Sequence, residues 1–125
     1  MVDGEYKADD QAAPVRTGVV SAETSATVRA MMEEARSKAF AAQDKPGYSI
    51  GGKTGTAQVA VPGGYSDTET IGSYLGYGGT DTPEYVIMVA VSGKDKTFGG
   101  ASDAMPIFTD ISNWMIDYLK IQPKG

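Results

Sequence analysis

Lys53-Thr54-Gly55-Thr56 concentrates more usable chemistry than any other stretch of this chain. On a strand, side chains alternate, so Lys53 and Gly55 share one face and Thr54 and Thr56 the other. Two threonine hydroxyls can bond a carboxylate, and a lysine adds charge. An ion pair at ~4 Å is worth about 4 kcal/mol gross at an effective dielectric of 20, before desolvation is subtracted. Gly55 permits close approach by a ligand or another backbone. At a sheet edge, the N–H and C=O groups could take an extended peptide as an additional strand. One of those N–H groups could also donate to a developing oxyanion, and losing such a donor costs roughly 10²–10³ in rate. The stretch suits a site that holds a peptide carboxylate and an acyl group.

A phosphate-binding loop is the main competitor for these residues. Gly47 and Gly52-Lys53-Thr54 do satisfy Gly-x-x-x-x-Gly-Lys-Ser/Thr literally. That loop must follow a strand and open a helix. Here a helical segment and Pro46 precede Gly47, and Gly55-Thr56-Ala57-Gln58-Val59 starts a helix poorly. The chain contains no histidine and no cysteine. Ser-His-Asp triads, thiolate chemistry and cysteine–zinc sites are therefore excluded. Proton traffic would run through Lys, Glu, Asp, Tyr or water. No metal or other cofactor is expected.

The formal net charge is −5. No Lys/Arg cluster of the kind that binds phosphate backbones is present, so no nucleic-acid partner is expected. The acidic residues are scattered apart from Asp9-Asp10 and Glu33-Glu34, and read as solvated surface. No apolar run approaches the ~20 residues of a membrane span, so this segment is not expected to contact a membrane. No signal peptide is visible, but Met1-Val2-Asp3 reads as a start placed on a fragment, so cytoplasmic residence does not follow.

The elements that would position Lys53–Thr56 can be read in order. Residues 1–18, with Pro14 and Gly18, read as extended or poorly ordered. Ser21 is a plausible N-cap with Glu23 in the first turn. Val28, Met31, Met32, Ala35 and Ala39 follow at helical spacing, with the methionine pair expected in the core. The helix should stop near Gln43, before Asp44-Lys45-Pro46-Gly47. Tyr48–Val61 reads as a glycine-rich strand ended by Pro62-Gly63-Gly64. Thr70–Tyr77 reads as a second strand and Glu84–Ser92 as a third. The continuous apolar run in the third suggests cover on both faces. The short link between them favours an antiparallel hairpin. From about Asp103 a last helix carries an apolar stripe of Ile107, Phe108, Ile111, Trp114, Met115, Tyr118 and Leu119. The expected fold is α/β of the α+β type. It has an antiparallel sheet of about three strands, with an N-terminal and a C-terminal helix packed on one face.

These residues resemble the transpeptidase domain of penicillin-binding proteins, closest to the class B (cell-division and elongation) type. Gly52-Lys53-Thr54-Gly55-Thr56-Ala57-Gln58 matches the Lys-Ser/Thr-Gly box. Val19-Val20-Ser21-Ala22-Glu23-Thr24 resembles the start of the helix before it, and Ser73-Tyr74-Leu75-Gly76-Tyr77, Pro83–Val89, Phe98-Gly99-Gly100-Ala101 and Ala104–Phe108 follow in the family's order. The resemblance runs from about Val15 to Pro123, so residues 19–125 are expected to be the C-terminal portion of such a domain. It implies a larger β-lactamase/transpeptidase-like fold in which a serine attacks a D-Ala-D-Ala bond of a peptidoglycan stem peptide. β-Lactams trap that serine. By the same resemblance, Lys53, Thr54, Gly55 and Thr56 bind substrate, and the Thr56 backbone N–H serves the oxyanion hole. The implied location is the extracytoplasmic face of the bacterial membrane, with the parent anchored elsewhere in its chain.

The family also needs a Ser-x-x-Lys and a Ser-x-Asn box. None of Ser21, Ser25, Ser37, Ser49, Ser66, Ser73, Ser92, Ser102 or Ser112 has Lys three places on or Asn two places on. Both boxes lie N-terminal to Lys-Thr-Gly in the family. The segment alone is thus expected to be inactive and to complete its cleft with the remainder of the domain. A non-catalytic peptide- or glycan-binding module is the alternative, and a serine β-lactamase or carboxypeptidase piece a more distant one. One sheet face is expected to be exposed, or covered by self-association or by residues 1–18.

Overall fold

The computed structural model describes residues 16–125. The expectation for residues 1–18 lies outside it, apart from residues 16–18, which join no helix or strand.

Helix α1 spans Ala22–Phe40. Its start is set where the sequence indicates: the Thr24 N–H donates to Ser21 Oγ at 3.0 Å, satisfying a donor that the first turn leaves open. A 3-10 turn at Ala41–Gln43 follows, ahead of Pro46. The helix buries little apolar surface. Met31 is 63% exposed and Val28 is also exposed, so the expected Met31-Met32 core pair does not form. The buried side chain of α1 is Arg36.

Strands β1 (Ser49–Val61), β2 (Gly64–Gly79) and β3 (Pro83–Val91) form one antiparallel sheet in the order β1-β2-β3. Pro62-Gly63 turns β1 into β2. β2 begins at Gly64 rather than Thr70, because it pairs back along the whole end of β1: Val61 with Gly64 and Ala60 with Tyr65. The register then slips, and Gln58 pairs with Thr70. The polar Ser66-Asp67-Thr68 stretch lacks the alternation that would have marked a strand.

Helix α2 (Met105–Tyr118) follows a π-helical turn at Gly100–Ala104. Met105, Phe108, Thr109, Ser112 and Ile116 are its buried positions. Phe108 packs on Tyr74 with ring centroids 4.6 Å apart. Tyr85 and Ser112 share a hydroxyl–hydroxyl hydrogen bond of 2.7 Å. Ile50, Tyr74, Tyr85, Val89, Phe108 and Ile116 belong to one core cluster. Ile107, Ile111, Trp114 and Tyr118 of the expected stripe lie on the exposed side instead.

Among the described residues, β3 is covered on one face, not two. Tyr85 and Val89 point into the core, whereas Val86 and Met88 are 68% and 60% exposed. Leu75 of β2 pairs with Met88 and is exposed beside it. The α+β class, three antiparallel strands and two helices are otherwise as the sequence indicates.

Candidate functional site

β1 divides at Gly52. On the N-terminal side two tyrosines lie against a glycine pair. A Cβ at Gly51 would sit 2.5 Å from Tyr77 Cζ, and one at Gly52 would sit 2.5 Å from Tyr74 Cζ. Gly51 pairs with Tyr77, while Tyr74, an odd three residues earlier on β2, pairs with Thr54, so the rings lie on opposite faces. Both hydroxyls end on α1. Tyr77 donates to the Arg29 carbonyl at 2.9 Å, and Arg36 Nη1 donates to Tyr74 Oη at 3.0 Å. Only a strand without side chains at 51 and 52 lets both rings pass this closely.

Arg36 ties the elements behind this end together. Its Nε and Nη2 grip Asp44 at 2.8 and 2.5 Å, and Nη2 also donates to Thr109 Oγ1 at 2.9 Å. The rings of Phe40, Tyr74 and Phe108 lie 5.0–5.8 Å from its Cζ, within cation–π range. Burial opposes the guanidinium charge, but the hydrogen bonds to Asp44 and Tyr74 and the Asp44 charge outweigh it and hold the pKa above its ordinary value. The Tyr77 hydroxyl is pushed up to about 12, first by burial and then by the Glu33 carboxylate.

Beyond Gly52 the strand is mostly exposed, and among the described residues one of its edges is open. Two observations give the direction of its backbone. The Thr70 N–H donates to the Lys96 carbonyl, away from β1. Residues two apart on a strand point the same way, so Gly72 and Tyr74 also face β3. Their β1 partners Thr56 and Thr54 therefore form non-hydrogen-bonded pairs, with N–H and C=O aimed off the sheet. Independently, Lys53 Nζ donates to the Thr54 carbonyl at 2.9 Å, which places the ammonium over that edge. A recess of about 180 Å³ adjoins it, lined by Phe40, Lys53, Thr54 and Tyr74 among others. A larger recess, about 260 Å³, lies between α1 and Asp44–Tyr48, away from these groups.

The structure thus brings Lys53, Thr54, Gly55 and Thr56 onto one open strand edge. It adds a residue that the box itself does not announce: the Gly100 N–H donates to Thr56 Oγ1 at 3.1 Å. The glycine pair in Phe98-Gly99-Gly100-Ala101 was its visible trace. Among the described residues, no group of three or more acidic side chains converges as a metal site would require.

The family described as the penicillin binding protein transpeptidase domain matches residues 1–113, and the chain belongs to that family. It is 35% identical over 109 residues to stage V sporulation protein D of Bacillus subtilis, covering 85% of this chain and 17% of that protein. It is 39% identical over 79 residues to a peptidoglycan D,D-transpeptidase FtsI homolog of Chlorokybus atmophyticus, covering 62% of this chain and 12% of that one. Penicillin binding protein 3 of Mycobacterium tuberculosis, solved as a complex with ampicillin, superposes with a TM-score of 0.65 at 27% identity, over 85% of this chain and 26% of that one. The chain therefore spans a minor part of these relatives, within a larger fold of their kind.

Proposed function

We propose that this segment is the ligand-holding strand of a serine D,D-transpeptidase that crosslinks peptidoglycan stem peptides on the extracytoplasmic face of the membrane. The carrying observation is the open edge of β1, where the Thr54 and Thr56 backbones point off the sheet and the Lys53 ammonium lies against the Thr54 carbonyl. An extended stem peptide adds along this edge as a further strand. Lys53 supplies charge to its terminal carboxylate, and the Thr54 and Thr56 hydroxyls supply hydrogen bonds. The Thr56 N–H donates to the oxyanion that forms when a serine attacks the D-Ala-D-Ala carbonyl. β-Lactams occupy the same edge. The serine comes from the remainder of the domain, since no serine here has the lysine that would activate it.

Fluorescent penicillin tests the division of labour. The 125-residue chain is expected to take no covalent label, while the same chain joined to its Ser-x-x-Lys-bearing part labels stoichiometrically. Covalent labelling of the isolated chain at any serine would refute the assignment. Amide shifts on titrating a D-Ala-D-Ala peptide should centre on residues 53–56. If the joined domain binds that peptide there but never acylates, the non-catalytic binding module is the better reading.

A further inference from the structure

At Gly100 the turn before α2 presses on the main chain of β1 and of its neighbour β2. A Cβ at Gly100 would lie 2.5 Å from the Gly55 carbonyl oxygen, 2.6 Å from that of Ser73 and 2.8 Å from the Gly55 nitrogen. All three are main-chain atoms, so no side chain can swing away to make room. The neighbouring Gly99 carbonyl is seated as closely, 2.5 Å from where a Cβ on Gly72 would stand. The turn is also held from its other side. The Phe98 N–H donates to Thr70 Oγ1 at 2.8 Å, and the Thr70 hydroxyl donates back to the Phe98 carbonyl at 2.8 Å. Asp103 Oδ2 accepts from the Gly99 N–H at 2.7 Å and from Ser102 Oγ at 2.6 Å. π-Helical turns of this kind occur often at functional sites.

The consequence falls on one hydroxyl. A threonine Oγ has one proton to give and two lone pairs. Thr56 Oγ1 already accepts from Gly100 N–H, and among the described residues it donates to none, so its proton can point elsewhere. Its exposed position beside the open edge leaves an incoming anion as the natural acceptor.

We infer that Gly100 is a positioning residue: its α-carbon, seated on Gly55 and Ser73, places its N–H so that the Thr56 hydroxyl is set as a hydrogen-bond donor to the carboxylate of the bound ligand. This rests on the proposed function, and deepens it by giving the site a built preference for an ionised carboxylate over its ester. A neutral ester accepts a weaker bond than a carboxylate.

The test compares benzylpenicillin with its methyl ester in the joined transpeptidase domain, reading the half-saturating concentration for acylation separately from the limiting rate. The wild type is expected to prefer the acid. Gly100→Ala should reduce that preference about tenfold, the size of a lost hydrogen bond to a charged group. Thr56→Val should do the same, and Gly100→Ala added to Thr56→Val should change the preference less than about twofold, because the two act through one hydroxyl. A folded Gly100→Ala protein that keeps the wild-type preference overturns the inference. Absence of acylation in the wild type instead strikes the proposed function itself. A wild type that acylates without preferring the acid overturns this inference and leaves the proposed function standing. Should Gly100→Ala fail to fold, Thr56→Ser and Thr56→Val decide. The serine variant should retain the acid preference and slow exchange of the Gly100 amide, and the valine variant should lose both. A Gly100 amide equally protected in the valine variant overturns the inference.

Discussion

The two halves of β1 are built for opposite purposes. Ile50, Gly51 and Gly52 are buried, with tyrosines on both sides and α1 across their tips. Lys53 to Val61 belong to the same strand and pair with the same neighbour, yet most of their side chains are exposed and one backbone edge is open. A recognition edge must be exposed and still hold its shape. Exposed edges invite non-specific pairing with other chains. Here rigidity comes from the closed half, which anchors the strand directly before the residues proposed to hold the ligand. Burial and the proposed recognition are thus separated along a single strand.

The sharpest way to break this contrast is to remove the anchor. Arg36→Met keeps an apolar stem among Phe40, Tyr74 and Phe108 but leaves Asp44, only 14% exposed, without its partner. Breaking a buried pair from one side typically costs 3–5 kcal/mol, so a loss of about 3 kcal/mol is expected from urea midpoints. Adding Asp44→Asn should restore part of that loss, because it removes the uncompensated charge. Equal stability of the single and double variants would mean that the aromatic packing, not the ion pair, holds the closed half.

The second anchor has a pH signature. Tyr77 ionises at about 12 in the folded chain against an ordinary 10. Its neutral form is therefore favoured by folding. That contribution is fully present below pH 10 and is lost as pH rises towards 12. A displacement of this size corresponds to at most about 2–3 kcal/mol, and to less where water screens the hydroxyl. The difference in stability between the wild type and Tyr77→Phe should therefore change by up to this amount between pH 9 and pH 12. Tyr85 is also raised by burial, so the difference against Tyr77→Phe is the informative quantity. A flat difference would place Tyr77 outside the anchor.

Much of the open half was legible in the sequence, and little of the closed half was. The Lys53–Thr56 strand, the Ser21 cap and the stop before Pro46-Gly47 rest on local signals: alternation, side-chain capping and backbone restriction. Arg36 sits in Glu33-Glu34-Ala35-Arg36-Ser37-Lys38, which reads as the charged surface of a helix. Its burial depends on Tyr74 and Thr109, 38 and 73 residues away. Met31, Val86 and Met88 failed in the other direction, since apolar character alone does not say whether a partner covers a face. The Gly100–Thr56 contact spans 44 residues, and a glycine pair shows only that something approaches closely.

The smallest stability effect completes the contrast. Lys53 is exposed, and its hydrogen bonds go to its neighbour Thr54. Lys53→Ala should therefore shift stability by less than about 0.5 kcal/mol, while Arg36→Met, at the other half of the same contrast, costs several times more. In the joined domain the order should reverse for ligand binding. Loss of the ammonium should raise the half-saturating concentration of benzylpenicillin about tenfold. Because the charge is exposed, much of that effect should fade as salt is raised from about 0.05 to about 0.5 M. A Lys53→Ala variant that loses stability as Arg36→Met does, and binds penicillin normally, would show that the open half is structural as well, and the division of β1 would fail.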